Sequence, residues 1–215
     1  VRFAQPIQVS GRDLVRVADR WAELEEFIDH ARPRAQEATY VRLFEELGRV
    51  HTALKEVWEP GPPGLVHTHD DLTLGQVHYS VGFTARTLGR GSEPVVHRMR
   101  QLTAELASLR KEVELPQAPI HGDYKLGNVG ERSDGSWVSF DLDFARIRER
   151  VYDVAASLNH VAESGPEGVG PPPELLEPRR LLAAYESTAP EPLTPDEHRW
   201  LPGALALIPL HWAAT

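Results

Sequence analysis

The chain has no cysteine, a single methionine (Met99) and only three lysines, Lys55, Lys111 and Lys125. The missing cysteines exclude disulfide scaffolds, thiolate nucleophiles and Cys-ligated zinc together. No apolar run approaches the roughly 18 residues that a membrane span requires, and the start shows no basic segment followed by an apolar one. The expected protein is therefore cytoplasmic and makes no membrane contact. Acidic residues outnumber basic ones by 32 to 23, a net charge of -9, which argues against a general nucleic-acid surface and favours cationic small molecules. Because nearly all positive charge is arginine, a lysine inside a candidate site carries extra weight. At 215 residues, 41% hydrophobic and 26% charged, the chain is long enough for a sizeable core and has the composition of a globular domain. Its start at Val1 and its stop soon after Leu210-His211-Trp212 read as those of a piece of a longer protein, truncated at both ends.

Local patterns predict a short β region followed by helices. Gln5–Val9 and Asp13–Val17 alternate as strands do around Ser10-Gly11-Arg12, which predicts a hairpin, and Trp21–Ile28 a further strand running into a linker. From Arg34 to Trp58 the apolar positions Ala38, Val41, Phe44, Leu47, Val50, Leu54 and Val57 recur at three and four residues, one face of a helix. His51 lies beside that stripe and is expected to be packed and hydrogen-bonded. Gln76–Leu88, Pro94–Val113, Val151–Val161 and Glu174–Tyr185 also read as helices. So does Pro195–Trp212, with Thr194 and Glu197 spaced as a capping box and Pro202 and Pro209 expected to kink or break it. The proline- and glycine-rich stretches 59–75 and 164–173 read as loops.

Between these helices lies Ile120-His121-Gly122-Asp123-Tyr124-Lys125-Leu126-Gly127-Asn128, followed by Val138-Ser139-Phe140-Asp141-Leu142-Asp143. A carboxylate, a nearby amide oxygen and a second carboxylate after an apolar approach supply what phosphoryl transfer needs: an acceptor for the substrate hydroxyl and hard oxygen ligands for magnesium. Asp123 is the candidate base. Asn128 and Asp141 are candidate metal ligands, and Lys125 is placed to meet the transferring phosphate. On a strand Asp143 would point the same way as Asp141. Either therefore serves as the closer ligand, with Asp141 favoured by the apolar approach Val138–Phe140.

These residues resemble the aminoglycoside phosphotransferase and choline kinase-like family: His121-Gly122-Asp123, Asn128, Val138 to Asp141, and Asp153-Val154-Ala155. The resemblance implies an α+β, protein-kinase-like fold, with residues 1–28 as the remnant of a small β lobe and hinge and 29–215 as a mostly helical catalytic lobe. It implies ATP and Mg2+ as cofactors, a small-molecule hydroxyl acceptor, Asp123 as base, Asp153 steadying the catalytic loop, and a structural role for His121. Leu47–His51 resembles the family's helix ending in Leu-His. Glu26, Phe27 and Ile28 resemble the hinge that holds the nucleotide. The family's phosphate-covering loop and strand-borne lysine have no counterpart here, so this chain alone is expected to be weakly active or inactive. The acceptor itself is not legible, and stretch 61–75 with the helices after Val151 are the expected contacts. Two other readings compete: a kinase-like module that binds without transferring phosphate, and a metal protein built on His67, His69 and Asp70.

Overall fold

A computed structural model describes residues 25–58, 74–87, 93–163 and 177–213, together with 2–3, 5, 7–8, 14–17 and 20–23. The element order is β1 (Arg2–Phe3), β2 (Leu14–Val17), β3 (Arg20–Glu23), α1 (Glu37–Val57), α2 (Leu74–Thr87), α3 (Glu93–Lys111), β4 (Gln117–Ile120), β5 (Val129–Glu131), β6 (Trp137–Ser139), β7 (Arg146–Glu149), α4 (Arg150–Glu163), α5 (Pro178–Glu186) and α6 (Pro195–Trp212). Turn 10–12, loop 164–173 and the His67, His69 and Asp70 cluster lie outside the described residues. No helix among the described residues is long and apolar enough to cross a membrane.

The predicted hairpin forms with a different partner. Leu14–Val17 pairs antiparallel with Arg20–Glu23, Val17 opposite Arg20, whereas Gln5, Ile7 and Gln8 are not in strands. Alternation marks a segment as able to be a strand, but partner choice depends on contacts beyond it. Arg2 and Phe3 instead run parallel to β6, facing Val138 and Ser139, and β5 flanks β6 on its other side.

Helix α1 buries a face turned slightly from the predicted one. Tyr40, Leu43, Phe44, Leu47, Val50 and Leu54 are all buried, while Val57 is exposed and so is Ala38. The turn follows from α1 touching α5 on one side and β4 and α4 on the other, which widens the covered stripe. Gly48 marks the closest approach. A Cβ there would lie 2.3 Å from Thr188 Oγ1 and 2.6 Å from the Tyr185 carbonyl. Gly48→Ala is therefore expected to lower stability by about 1–3 kcal/mol through overpacking, outweighing the ~0.5–1 kcal/mol that alanine gains in a helix interior. Thermal unfolding of the variant checks this, and a raised midpoint would contradict it.

The capping box of α6 forms as predicted, with the Thr194 hydroxyl accepting from the Glu197 N–H and the Glu197 carboxylate accepting from the Thr194 N–H. Glu197 is fully buried and also takes the Arg150 guanidinium at 2.8 and 2.9 Å. Of the predicted kink or break, the break does not occur: α6 is one continuous helix through Pro202 and Pro209. The helix contacts α2, α3 and α4 and buries Leu201, Ala204, Leu207, Ile208 and Leu210. At about 1.5–3 kcal/mol per buried Leu or Ile, this burial outweighs roughly 3 kcal/mol for each interior proline.

Candidate active site

The site is organised by nested strand pairs. Strands β4 and β7 pair antiparallel, Ile120 opposite Arg146, and the β5–β6 hairpin lies between them in sequence. This topology brings segment 121–128, which follows β4, against segment 140–145, which precedes β7. The Phe140 N–H donates to the Asn128 carbonyl at 2.9 Å, and His121 Nε2 lies 2.9 Å from the Phe140 carbonyl. Gly122 is required at the crossing: its φ is +88°, and a Cβ would sit 2.3 Å from the Phe144 carbonyl oxygen.

A buried network holds the loop from behind. In the first turn of α4, the Asp153 carboxylate accepts from the His121 N–H at 2.7 Å and the Gly122 N–H at 2.8 Å. His51 Nε2 lies 3.0 Å from the same carboxylate, and its Nδ1 lies 2.9 Å from the Tyr185 hydroxyl. Burial pushes the Asp153 carboxyl up, yet its partners, His51 foremost, hold it net below the ordinary carboxylate value. His51, His121 and Asp153 are all buried, so the expected packed roles of both histidines and the steadying role of Asp153 agree with their surroundings. Farther along α4, the Ser157 hydroxyl donates to the Tyr124 carbonyl at 2.7 Å.

On the open side of the loop, Lys125 Nζ donates to Asp123 Oδ2 at 2.5 Å. Asn128 Nδ2 donates to Asp123 Oδ2 at 3.1 Å, to the Asp123 carbonyl at 2.9 Å and to Asp141 Oδ2 at 3.3 Å. With its NH2 so engaged, Asn128 keeps Oδ1 as an acceptor oxygen. His160 of α4 completes the cluster, its Nε2 3.4 Å from Asp123 Oδ1. Burial raises the Asp123 carboxyl, but the contacts with His160 and then Lys125 win and bring it down to about 2. Asp123, Lys125, Asn128 and Asp141 thus converge.

The alternation predicted for Asp141 and Asp143 is corrected here. Strand β6 ends at Ser139, Asp141 takes a left-handed conformation (φ 63°), and Leu142–Phe144 form a 3-10 turn. The two carboxylates therefore do not share a strand face, and contact with Asn128 belongs to Asp141. Asp141 is the one non-glycine residue at positive φ among those described, and such strain collects at functional positions. Of the predicted hinge, Phe27 is 87% exposed and Ile28 buried, while the Glu26 N–H donates to the Gln5 carbonyl at 2.9 Å. The sequence reading missed His160. It follows Asp153 by seven residues, two helical turns on the same face, and that spacing is the signal which could have found it.

Residues 16–201 match the model of a family described as "Phosphotransferase enzyme family". Among solved structures, the chain is similar to an amicoumacin kinase in complex with AMP-PNP and Ca2+, at 18% identity and TM-score 0.68, covering 100% of this chain and 64% of that one. It is similar to a microcompartment-associated aminopropanol kinase, at 18% identity and TM-score 0.67, covering 100% of this chain and 68% of that one. A choline kinase from Streptococcus pneumoniae gives 12% identity and TM-score 0.59, covering 99% of this chain and 65% of that one. These likenesses show the fold, an α+β, protein-kinase-like architecture, and the chain spans about two thirds or less of the length of these structures. No curated protein matches the chain.

Proposed function

The chain belongs to the phosphotransferase enzyme family, and from that membership we propose that it transfers the γ-phosphate of ATP to a hydroxyl group of a small molecule. The convergence of Asp123, Lys125, Asn128 and Asp141 on one loop edge carries this reading. The acceptor class proposed is an amine-bearing alcohol, in keeping with the net charge of -9 and with the aminopropanol and amicoumacin kinases to which the chain is similar.

Asp123, held at a pKa of about 2, is ionised at neutral pH and is a weak base. Its work is therefore alignment: the carboxylate accepts a hydrogen bond from the acceptor hydroxyl and points it in line with the phosphate. Such a role suffices for a loose phosphoryl transition state with little charge on the nucleophile. Lys125 holds Oδ2 of that carboxylate and places a compact positive charge beside the reacting oxygens. Glu26, Phe27 and Ile28 are proposed to hold the nucleotide base.

The donor set fits magnesium. Asn128 Oδ1 and Asp141 offer two hard oxygens beside one another. That suits an ion which takes few protein ligands and keeps the rest for phosphate and water. When bound, Mg2+ would neutralise phosphate charge. Asn128 and Asp141 are its proposed holders, with Asp143 one residue into the following turn as the alternative.

Calorimetric titration of ATP with and without Mg2+ tests the site. Asp141→Asn is expected to weaken magnesium-dependent ATP binding on the order of 10- to 100-fold, as disturbing a metal's partners does. Equal, magnesium-independent binding by both proteins would remove Asp141 from the role.

A further inference from the structure

Three histidines surround the catalytic loop, and one differs from the other two. His51 and His121 are sealed, 2% and 0% exposed, with fixed partners inside the fold. The His160 side chain is 24% exposed and meets the Asp123 carboxylate itself.

The contacts around that carboxylate are divided between its two oxygens. Oδ2 takes Lys125 at 2.5 Å and Asn128 at 3.1 Å. Oδ1 faces His160 at 3.4 Å, longer than the 2.7–3.2 Å of a well-formed N–H···O bond. Oδ2 is thus occupied by two donors, whereas Oδ1 retains acceptor capacity. His160 and Lys125 also line a cavity of about 240 Å3 together with Tyr40 and Leu43 of α1. The imidazole therefore stands at the edge of open space beside the loop.

We infer that His160 is a positioning residue for Asp123. Opposed to Lys125 and Asn128 across the carboxylate, it sets the rotation of that group and makes Oδ1 the oxygen that receives the acceptor hydroxyl. Free rotation about the Cβ–Cγ bond is broad for aspartate, so donors on one oxygen alone leave the other poorly aimed; a partner on each side defines the direction. The helical register enforces the arrangement. Asp153 anchors the start of α4 to the loop backbone, and two turns later the same face delivers His160 to the loop's side chain. The inference rests on Asp123 being the group that meets the acceptor.

The test compares the 215-residue chain with His160→Ala, His160→Gln and Asp123→Asn. The glutamine can still donate at a reach close to that of Nε2. At pH 7 the carboxyl 13C resonance of Asp123, assigned by its loss in Asp123→Asn, is expected to move in His160→Ala and to return toward its original position in His160→Gln. An unmoved resonance in His160→Ala overturns the inference, and this readout needs no turnover. In the slow MgATP turnover expected of this chain, with ethanolamine or water as acceptor probe, His160→Ala is expected to lower kcat about tenfold, less than the loss on replacing Asp123 itself, with the KM for ATP unchanged and His160→Gln restoring most of the loss. Full kcat in His160→Ala beside an inactive Asp123→Asn overturns this inference alone. Full kcat in Asp123→Asn overturns the assigned role of Asp123 instead.

Discussion

Asp123→Asn is expected to lower the chain's weak kcat by about 10^2-fold or more, the scale of losing the alignment of a reacting group, with little change in the KM for ATP. The substitution preserves volume but replaces an acceptor with an amide that can present N–H to the incoming hydroxyl, and it leaves the Lys125 ammonium, 2.5 Å away, without its ion pair. Steady-state kinetics on the variant check this, and a loss under tenfold would take Asp123 out of the reaction. The pH profile provides a second check. With the carboxyl held at about 2, Asp123 stays ionised throughout the working range, so an acid limb in kcat/KM above about pH 4 must come from another group. The sign for stability follows: the folded value lies below the ordinary 3.8. The contribution of the contacts with His160 and Lys125 is therefore fully present above the ordinary value and lost as pH falls through about 2.

Asp153→Ala is expected to cost about 3–5 kcal/mol, because it leaves three buried hydrogen-bonding groups without their partner, at about 1–3 kcal/mol each. For a chain of this size that lowers the thermal midpoint by roughly 2–4 °C per kcal/mol. The variant strips His51 of its buried partner and leaves the His121 and Gly122 N–H groups unsatisfied at the base of the loop. Turnover should fall with stability, because those two N–H groups belong to the residues just before Asp123. A variant within 1 kcal/mol of the parent by denaturant unfolding, allowing for the usual extrapolation error, would show that the network is dispensable. Acid should act in the same direction. The folded Asp153 carboxyl lies below its ordinary value, so its share of stability is complete above that value and disappears as pH falls through the folded one.

The sequence legibility of each feature followed the range of the interaction behind it. The start of α6 was readable because the Thr194–Glu197 box acts across three residues. The chemistry of the loop was readable because Asp123, Lys125 and Asn128 lie within six residues of one another and each brings a distinct functional group. Strand partners were not. Residues 5–9 alternate and Trp21 onward reads as a further strand, and only the assembled sheet shows which of them faces β2. The Asp141–Asp143 alternation failed for a related reason. Period two holds only while the strand lasts, and β6 stops at Ser139 where the chain turns back to meet Gly122.

By itself, then, the sequence determined the family resemblance, the helices and the residues proposed to carry a phosphoryl transfer, since capping, periodicity and side-chain type are properties of a few neighbouring residues. Tertiary structure decided which groups actually meet: His51 with Asp153 across 102 positions, Arg150 with Glu197 across 47, and His160 with Asp123. Those pairings cost chain entropy that no local segment recovers alone, and only the packing of α1, α4, α5 and α6 around the loop compensates for it.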